Sequence, residues 1–166
     1  MPVEVIYHRG NPYPAFQTNG NAARFCRPFA EEVCKGEGFD IGCGNEEWAF
    51  PGAICIDPVI NPMYHAQNLP QMQVDYVFSS HCLEHVPDWV GTLGYWGKHI
   101  KSGGTLFLYL PDWSQTYWRV YSNIKHLHTF FPELIRDYLE QSGVYKNIFV
   151  SGVDAYNSFV AFAEKI

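Results

Sequence analysis

The feature that most constrains this chain is a short apolar strand running into Asp40-Ile41-Gly42-Cys43-Gly44, followed by a second strand, Ile54-Cys55-Ile56, that ends in Asp57. Glycines at 42 and 44 let the backbone turn sharply and approach a ligand where a Cβ would collide. An acid at the tip of the next strand can accept two ribose hydroxyls. Together they point to a ligand that carries a nucleoside. A dinucleotide is disfavoured by the same residues: the third glycine of G-x-G-x-x-G would fall where the chain has Glu47. Only Asn45 to Gly52 separate Gly44 from the next strand, too little for the helix that would take a pyrophosphate. Asp57 also has a plain structural reading, as the acid that opens the turn at Pro58.

Around this pair the chain reads as one α/β domain over residues 1–166, with an irregular, turn-rich and aromatic arm over residues 1–20. Strands are expected at 38–41, 53–57, 74–80 and 104–110, and helices from Asn21 to Lys35, after Pro87, and from Pro132 to Ser142. The helix after Pro87 places Trp89, Leu93, Trp96 and Ile100 on one stripe, a core-facing pattern. It also carries Gly91, Gly94 and Gly97, each costing about 1 kcal/mol against alanine, so close packing should compensate. Segments 144–150 and 156–163 read as a terminal antiparallel hairpin about Asp154-Ala155. Strands alternating with helices predict a mostly parallel, Rossmann-like sheet covered on both faces, with ligands beyond the carboxyl ends of the strands. The glycine turn, Asp57 and Ser79-Ser80-His81 all fall at such ends.

Composition narrows the partners. Eleven basic against 17 acidic residues give a net charge of -6 with no Lys/Arg cluster, which argues against nucleic acid. Hydrophobic residues make up 47% of the chain, yet no apolar run approaches the roughly 20 residues a membrane span needs. Met1 to Gly10 lacks the layout of a signal peptide, so a cytoplasmic location is the expectation. Five cysteines without a C-x-x-C pair predict reduced thiols, with Cys55 buried in its strand.

Five ordered motifs resemble compact class I S-adenosylmethionine-dependent methyltransferases across residues 37–163. Asp40-Ile41-Gly42-Cys43-Gly44 matches that family's first motif and Asp57 its ribose-binding acid. His65-Ala66-Gln67-Asn68-Leu69-Pro70 resembles its adenine-side D-A-E-x-L-P segment. Asp75 to Val86 resembles the fourth-strand motif, and Ile100-Lys101-Ser102-Gly103-Gly104-Thr105-Leu106 the L-K-P-G-G-x-L entry to the fifth strand. Three departures stand out: His65 replaces the usual acid for the adenine amino group, Ser102 replaces a proline, and Asp57 to His65 is too short for the usual helix, trimming the third strand.

The resemblance implies methyl transfer from S-adenosylmethionine to a small-molecule or glycan-like acceptor. The cofactor-binding set it implies is Asp40, Gly42, Cys43, Gly44, Asp57, His65, Ala66 and Ser80. Within it, Asp57 takes the ribose, Gly42 and Gly44 the methionine part, and the Ala66 backbone the adenine edge, with Ser80 or His81 near the sulfonium. His81 and His85 are the candidate catalytic residues, either able to serve as general base, and no metal is expected.

Two other readings compete. The trimmed third strand leaves room for a cofactor-binding module without catalysis. His81-Cys82-Leu83-Glu84-His85 also spells H-x-x-E-H, a zinc-peptidase signature, but that motif needs a helix. Here a strand runs into it and Pro87 follows at once. His126 and His128 would share a face of an extended segment, where solvated loop histidines are the commoner outcome and a metal or substrate role the alternative. Asp112, Trp113 and Tyr117 follow the fifth strand, where a substrate pocket would open.

Overall fold

In the computed structural model, which describes residues 4–8, 10–15 and 20–166, six strands form one sheet flanked by three helices. A two-stranded hairpin, β1 (Val5–His8) and β2 (Asn11–Pro14), precedes helix α1 (Ala23–Val33). Then follow β3 (Gly38–Ile41), β4 (Ile54–Ile56), β5 (Val74–Ser80), α2 (Trp89–His99), β6 (Ile100–Pro111), α3 (Pro132–Ser142), β7 (Tyr145–Val150) and β8 (Ser158–Lys165). The sheet order is β4-β3-β5-β6-β8-β7. The first four strands are parallel, while β8 and β7 are antiparallel additions, as the sequence predicts.

Alternation along the central strands decides the layering. In β6, Leu106, Leu108 and Leu110 join the core beneath α2 and α3, while Phe107 and Tyr109 join a second core beneath α1. The same split sends Val77 to the first core and Tyr76 and Phe78 to the second. Both faces are therefore buried, the pattern expected of a parallel sheet covered by helices. The predicted stripe is core: Leu93 and Trp96 of α2 are fully buried, Ile100 at the start of β6 nearly so, and Trp89 packs half-buried against the same cluster. Asp88 caps this helix by accepting from the Gly91 amide, and α3 starts on Pro132 and stops at Gly143, whose φ of 67° is left-handed.

Two expectations are corrected. The arm over residues 1–20 is not irregular throughout, since it holds the β1–β2 hairpin; Pro12 and Pro14 argue against a strand in sequence but are tolerated at the edge of a two-stranded sheet. Its place over the domain is fixed by Gln115, whose amide donates to the Pro12 carbonyl. The cysteines are not all reduced: Cys43 and Cys55 form a disulfide, and Cys55 is half-buried. Between Asp57 and Gln73 the described residues form turns and one isolated bridge, His65 with Asn68, so β4 is the edge of the sheet and the third strand is trimmed away.

Candidate functional site

The site is built where β3 and β4 end. The amide of Gly42 donates to the Ile56 carbonyl at 2.8 Å, and that of Gly44 to Oδ2 of Asp57 at 3.1 Å. The Cys43–Cys55 disulfide adds a covalent tie between the same two segments. Gly42 has a φ of 84°, and a Cβ there would sit 2.4 Å from Cβ of Cys82, so only glycine fits. Asp57 does what its plain reading asks, with Oδ1 accepting from the Val59 amide at 2.9 Å. Each carboxylate oxygen keeps a second lone pair for a hydroxyl.

Asp40 lies beneath this surface. Its carboxyl is buried and accepts from the Phe50 amide at 2.7 Å, anchoring the loop that Arg27 also holds through the Trp48 and Ala49 carbonyls. Burial pushes the Asp40 carboxyl up to about 7, with the Phe50 amide and Arg27 pulling the other way. Asp40 thus shapes the turn from below, and the Cys43 sulfur is committed to its disulfide. Ser80 Oγ is buried without a hydrogen-bond partner and lines neither of the two cavities at the site.

A cleft of about 200 Å³ opens beside the clasp, walled by Gly42, Asp57, His65, Ala66, Cys82 and His85 among others. Nδ1 of His65 accepts from the Gln67 amide, which leaves the proton on Nε2. Where the family's acid would accept from the adenine amino group, this chain offers a donor. The Ala66 carbonyl accepts from the Trp96 indole at 2.6 Å, so it is the Ala66 N–H that a purine edge could meet.

A second cavity, of about 320 Å³, lies next to the first and is lined by His81, Glu84, His85, Trp118, Lys125 and His126 among others. His85 lines both. The H-x-x-E-H run is not a helix: β5 ends at Ser80, His81 takes a left-handed φ of 49°, and a single 3-10 turn spans Leu83–His85. Nε2 of His81 lies 3.0 Å from Ser158 Oγ, and burial, with His126 and His85 nearby, lowers its pKa to about 3. Nδ1 of His85 donates to the Lys125 carbonyl at 2.8 Å, so the lone pair is on Nε2.

Two residues of this cavity lie outside the expected site set, although the sequence names both, Glu84 within H-x-x-E-H and His126 with a metal or substrate role as the alternative. Glu84 is fully buried with both carboxylate oxygens unpartnered, and burial pushes it up to about 8. His126 is buried rather than solvated, and its ring packs against that of His85 at 4.8 Å. Its arrival follows from the backbone: the Leu127 and His128 amides both donate to the Glu84 carbonyl. His128 turns aside to the Val86 and Pro87 carbonyls. Tyr117 lines this cavity, whereas Trp113 lies on a separate apolar surface and Asp112 is buried.

A parallel Rossmann-like sheet with an antiparallel end, a glycine turn and an acid on adjacent strand tips defines a class I S-adenosylmethionine-dependent methyltransferase. Residues 19–146 match the family model described as a methyltransferase domain, and the chain belongs to that family. No match emerges among curated protein sequences. Among solved structures, an S-adenosylmethionine-dependent methyltransferase of Thermotoga maritima superposes with a TM-score of 0.65 at 15% identity, covering 91% of this chain and 93% of that one. The N-methyltransferase NodS of Bradyrhizobium japonicum, solved with S-adenosylhomocysteine, gives 0.58 at 15% identity over 91% and 88%. An O-methyltransferase family protein of Burkholderia thailandensis gives 0.56 at 14%, over 90% and 59%. Both N- and O-methyltransferases share the fold, so the fold does not select the acceptor atom. The chain is a methyltransferase whose methyl donor is S-adenosylmethionine. No helix among the described residues is long and apolar enough to cross a membrane.

Proposed function

We propose that the chain methylates a small polar acceptor, a small molecule or glycan-like unit, held in the cavity of His81, Glu84, His85 and His126. The observation that carries this reading is the position of His85, which lines both the cleft beside Asp57 and the histidine-rich cavity. The first is then the cofactor side and the second the acceptor side. A volume of about 320 Å³ lies at the lower end of ligand pockets, which suits a monosaccharide-sized group rather than a polymer. The net charge of -6 weighs against nucleic acid.

The chemistry supplied by the bound cofactor is a sulfonium-activated methyl group, so the protein chiefly holds a nucleophile in line and excludes water. Asp57 accepts from the ribose hydroxyls, the glycine turn admits the methionine part, and the Ala66 N–H and His65 Nε2 face the adenine. His85 activates the acceptor through the lone pair on Nε2, and His81, held neutral, positions the cavity wall beside it.

The test is a split between turnover and affinity. His85→Ala should lower kcat on an accepted substrate at least about 100-fold, within the range for general acid–base groups. Its affinity for S-adenosylhomocysteine by calorimetry should stay within about threefold of wild type, a change under 1 kcal/mol. Equal losses in both would remove His85 from the acceptor side.

A further inference from the structure

We propose that Glu84, His85 and His126 hold one divalent first-row transition-metal ion on the acceptor side of the site. One ligand atom from each lies within 4.8 Å of the other two. Bonds near 2.1 Å place tetrahedral ligand atoms about 3.4 Å apart, so closing the set needs side-chain movement of about an ångström.

Three observations converge on this site. The first is the orphaned carboxylate: Glu84 is fully buried, and neither oxygen has a hydrogen-bond partner. Buried polar groups are nearly always paired, and one left unpaired carries a desolvation cost with nothing to offset it. The two imidazole nitrogens beside it, Nε2 of His85 at 3.7 Å and Nδ1 of His81 at 3.9 Å, are beyond hydrogen-bond reach, and the one group that eases its burial is its own backbone amide.

The second is the orientation of the two rings. Nδ1 of His85 donates to the Lys125 carbonyl at 2.8 Å and Nδ1 of His126 to the Trp118 carbonyl at 2.7 Å. Both imidazoles are thereby fixed with a lone pair on Nε2. A carbonyl on the far nitrogen is the usual outer-shell arrangement around metal-bound histidine.

The third is the donor set. Two imidazoles and one carboxylate suit zinc, iron, manganese, cobalt or nickel, and match neither the all-oxygen cages of calcium nor the hydrated sites of magnesium. Three protein ligands also leave coordination positions open toward the cavity. The set is not the peptidase pair, because His81 directs its Nε2 to Ser158 and the H-x-x-E-H segment is not helical.

The inference rests on the reading of this cavity as the acceptor side and changes how His85 serves it: with its Nε2 lone pair on the ion, the ion rather than proton transfer to His85 activates the acceptor. An ion bound there would hold an acceptor oxygen and lower its proton affinity, favouring a hydroxyl acceptor.

Chelator-stripped protein should be titrated with zinc by calorimetry and with cobalt by visible absorption. Wild type should take up one ion per chain, with a d–d absorption band for cobalt. Glu84→Gln and His126→Ala should each weaken binding more than about 100-fold, beyond the 10–100-fold that losing an outer-shell partner costs. Glu84→Gln is isosteric and carries the test if His126→Ala does not fold, as judged by its thermal melt. Wild-type protein that binds neither ion, or a folded variant that binds like wild type, overturns the proposal. S-adenosylhomocysteine is titrated into the same preparations. Its binding without any ion site would overturn the metal and leave the methyltransferase reading intact; an ion site without nucleoside binding would do the reverse.

Discussion

The amide of Gly44 donates to Oδ2 of Asp57 at 3.1 Å, so the acid that follows β4 braces the turn that follows β3. The two readings of Asp57 open in the sequence are therefore compatible. One lone pair on each oxygen serves the fold, through Gly44 and Val59, and another remains for a hydroxyl.

Asp57→Asn separates the two roles. The amide oxygen still accepts one backbone N–H, so the melting temperature should fall by less than the equivalent of about 1 kcal/mol. Affinity for S-adenosylhomocysteine should fall about 10–100-fold, because bonds to a charged acceptor contribute about 1.5–3 kcal/mol. Unchanged affinity by calorimetry would remove Asp57 from the ribose.

The Cys43–Cys55 disulfide closes a loop between residues 12 apart in sequence. A loop of that order stabilises a fold by about 3 kcal/mol through the unfolded chain. The double variant Cys43→Ser, Cys55→Ser should melt roughly 6–12 °C lower than wild type, and wild type in reductant should melt with it. Because the bond ties the turn that carries Gly44, nucleoside affinity should fall in parallel, so a reducing compartment would loosen the site. Coincident melts with and without reductant would show that the clasp contributes nothing.

The glycines of α2 answer differently to the same substitution. A Cβ at Gly94 has its nearest neighbour, the Tyr138 hydroxyl, at 4.0 Å, whereas one at Gly97 would meet the Tyr145 hydroxyl at 2.7 Å. Gly94→Ala should therefore stabilise by about 0.5–1 kcal/mol, the helix-propensity gain. Gly97→Ala should destabilise by about 1–3 kcal/mol despite the same gain, as overpacked sites do. Urea melts of the two variants that move in the same direction would refute the packing account.

How far this was legible follows from where each signal lives. The strand tips, the α2 stripe and the Gly143 stop depend on spacing and local conformation, which the sequence displays directly. The disulfide does not: the strand register sets Asp40 opposite Cys55, and Cys43 reaches Cys55 only because the turn at Gly42 (φ of 84°) folds back with its amide on the Ile56 carbonyl, which no spacing rule announces. Glu84 and His126 are brought together by backbone bonds from Leu127 and His128 to the Glu84 carbonyl. A histidine in a polar loop reads as solvated until that contact is known. The nearest available signal was Glu84 itself, an acid set in an otherwise apolar Cys82-Leu83 run directly after a buried strand.

Asp40 gives the fold a pH dependence whose sign can be fixed. Its carboxyl is buried, accepts from the Phe50 amide, and is raised from 3.8 to about 7. A carboxyl whose folded value exceeds its unfolded one stabilises the fold fully below the unfolded value, and that contribution is lost as pH rises through the folded value. The window therefore runs from about 4 to about 7. Arg27 and Asp57 act on it with opposite signs, while Tyr76, pushed up to about 12 by burial, and Cys26, also pushed up by burial, stay neutral across it. Asp40→Asn keeps an oxygen for the Phe50 amide but does not titrate in this range. The melting temperature of the variant minus that of wild type should therefore increase from pH 4 to pH 7, by at least about 3 °C, the equivalent of about 1 kcal/mol. Other titrating groups are common to both proteins and largely cancel in the difference. A difference that stays flat from pH 4 to pH 7, measured by calorimetry in matched buffers, would mean that Asp40 remains ionised beneath the turn.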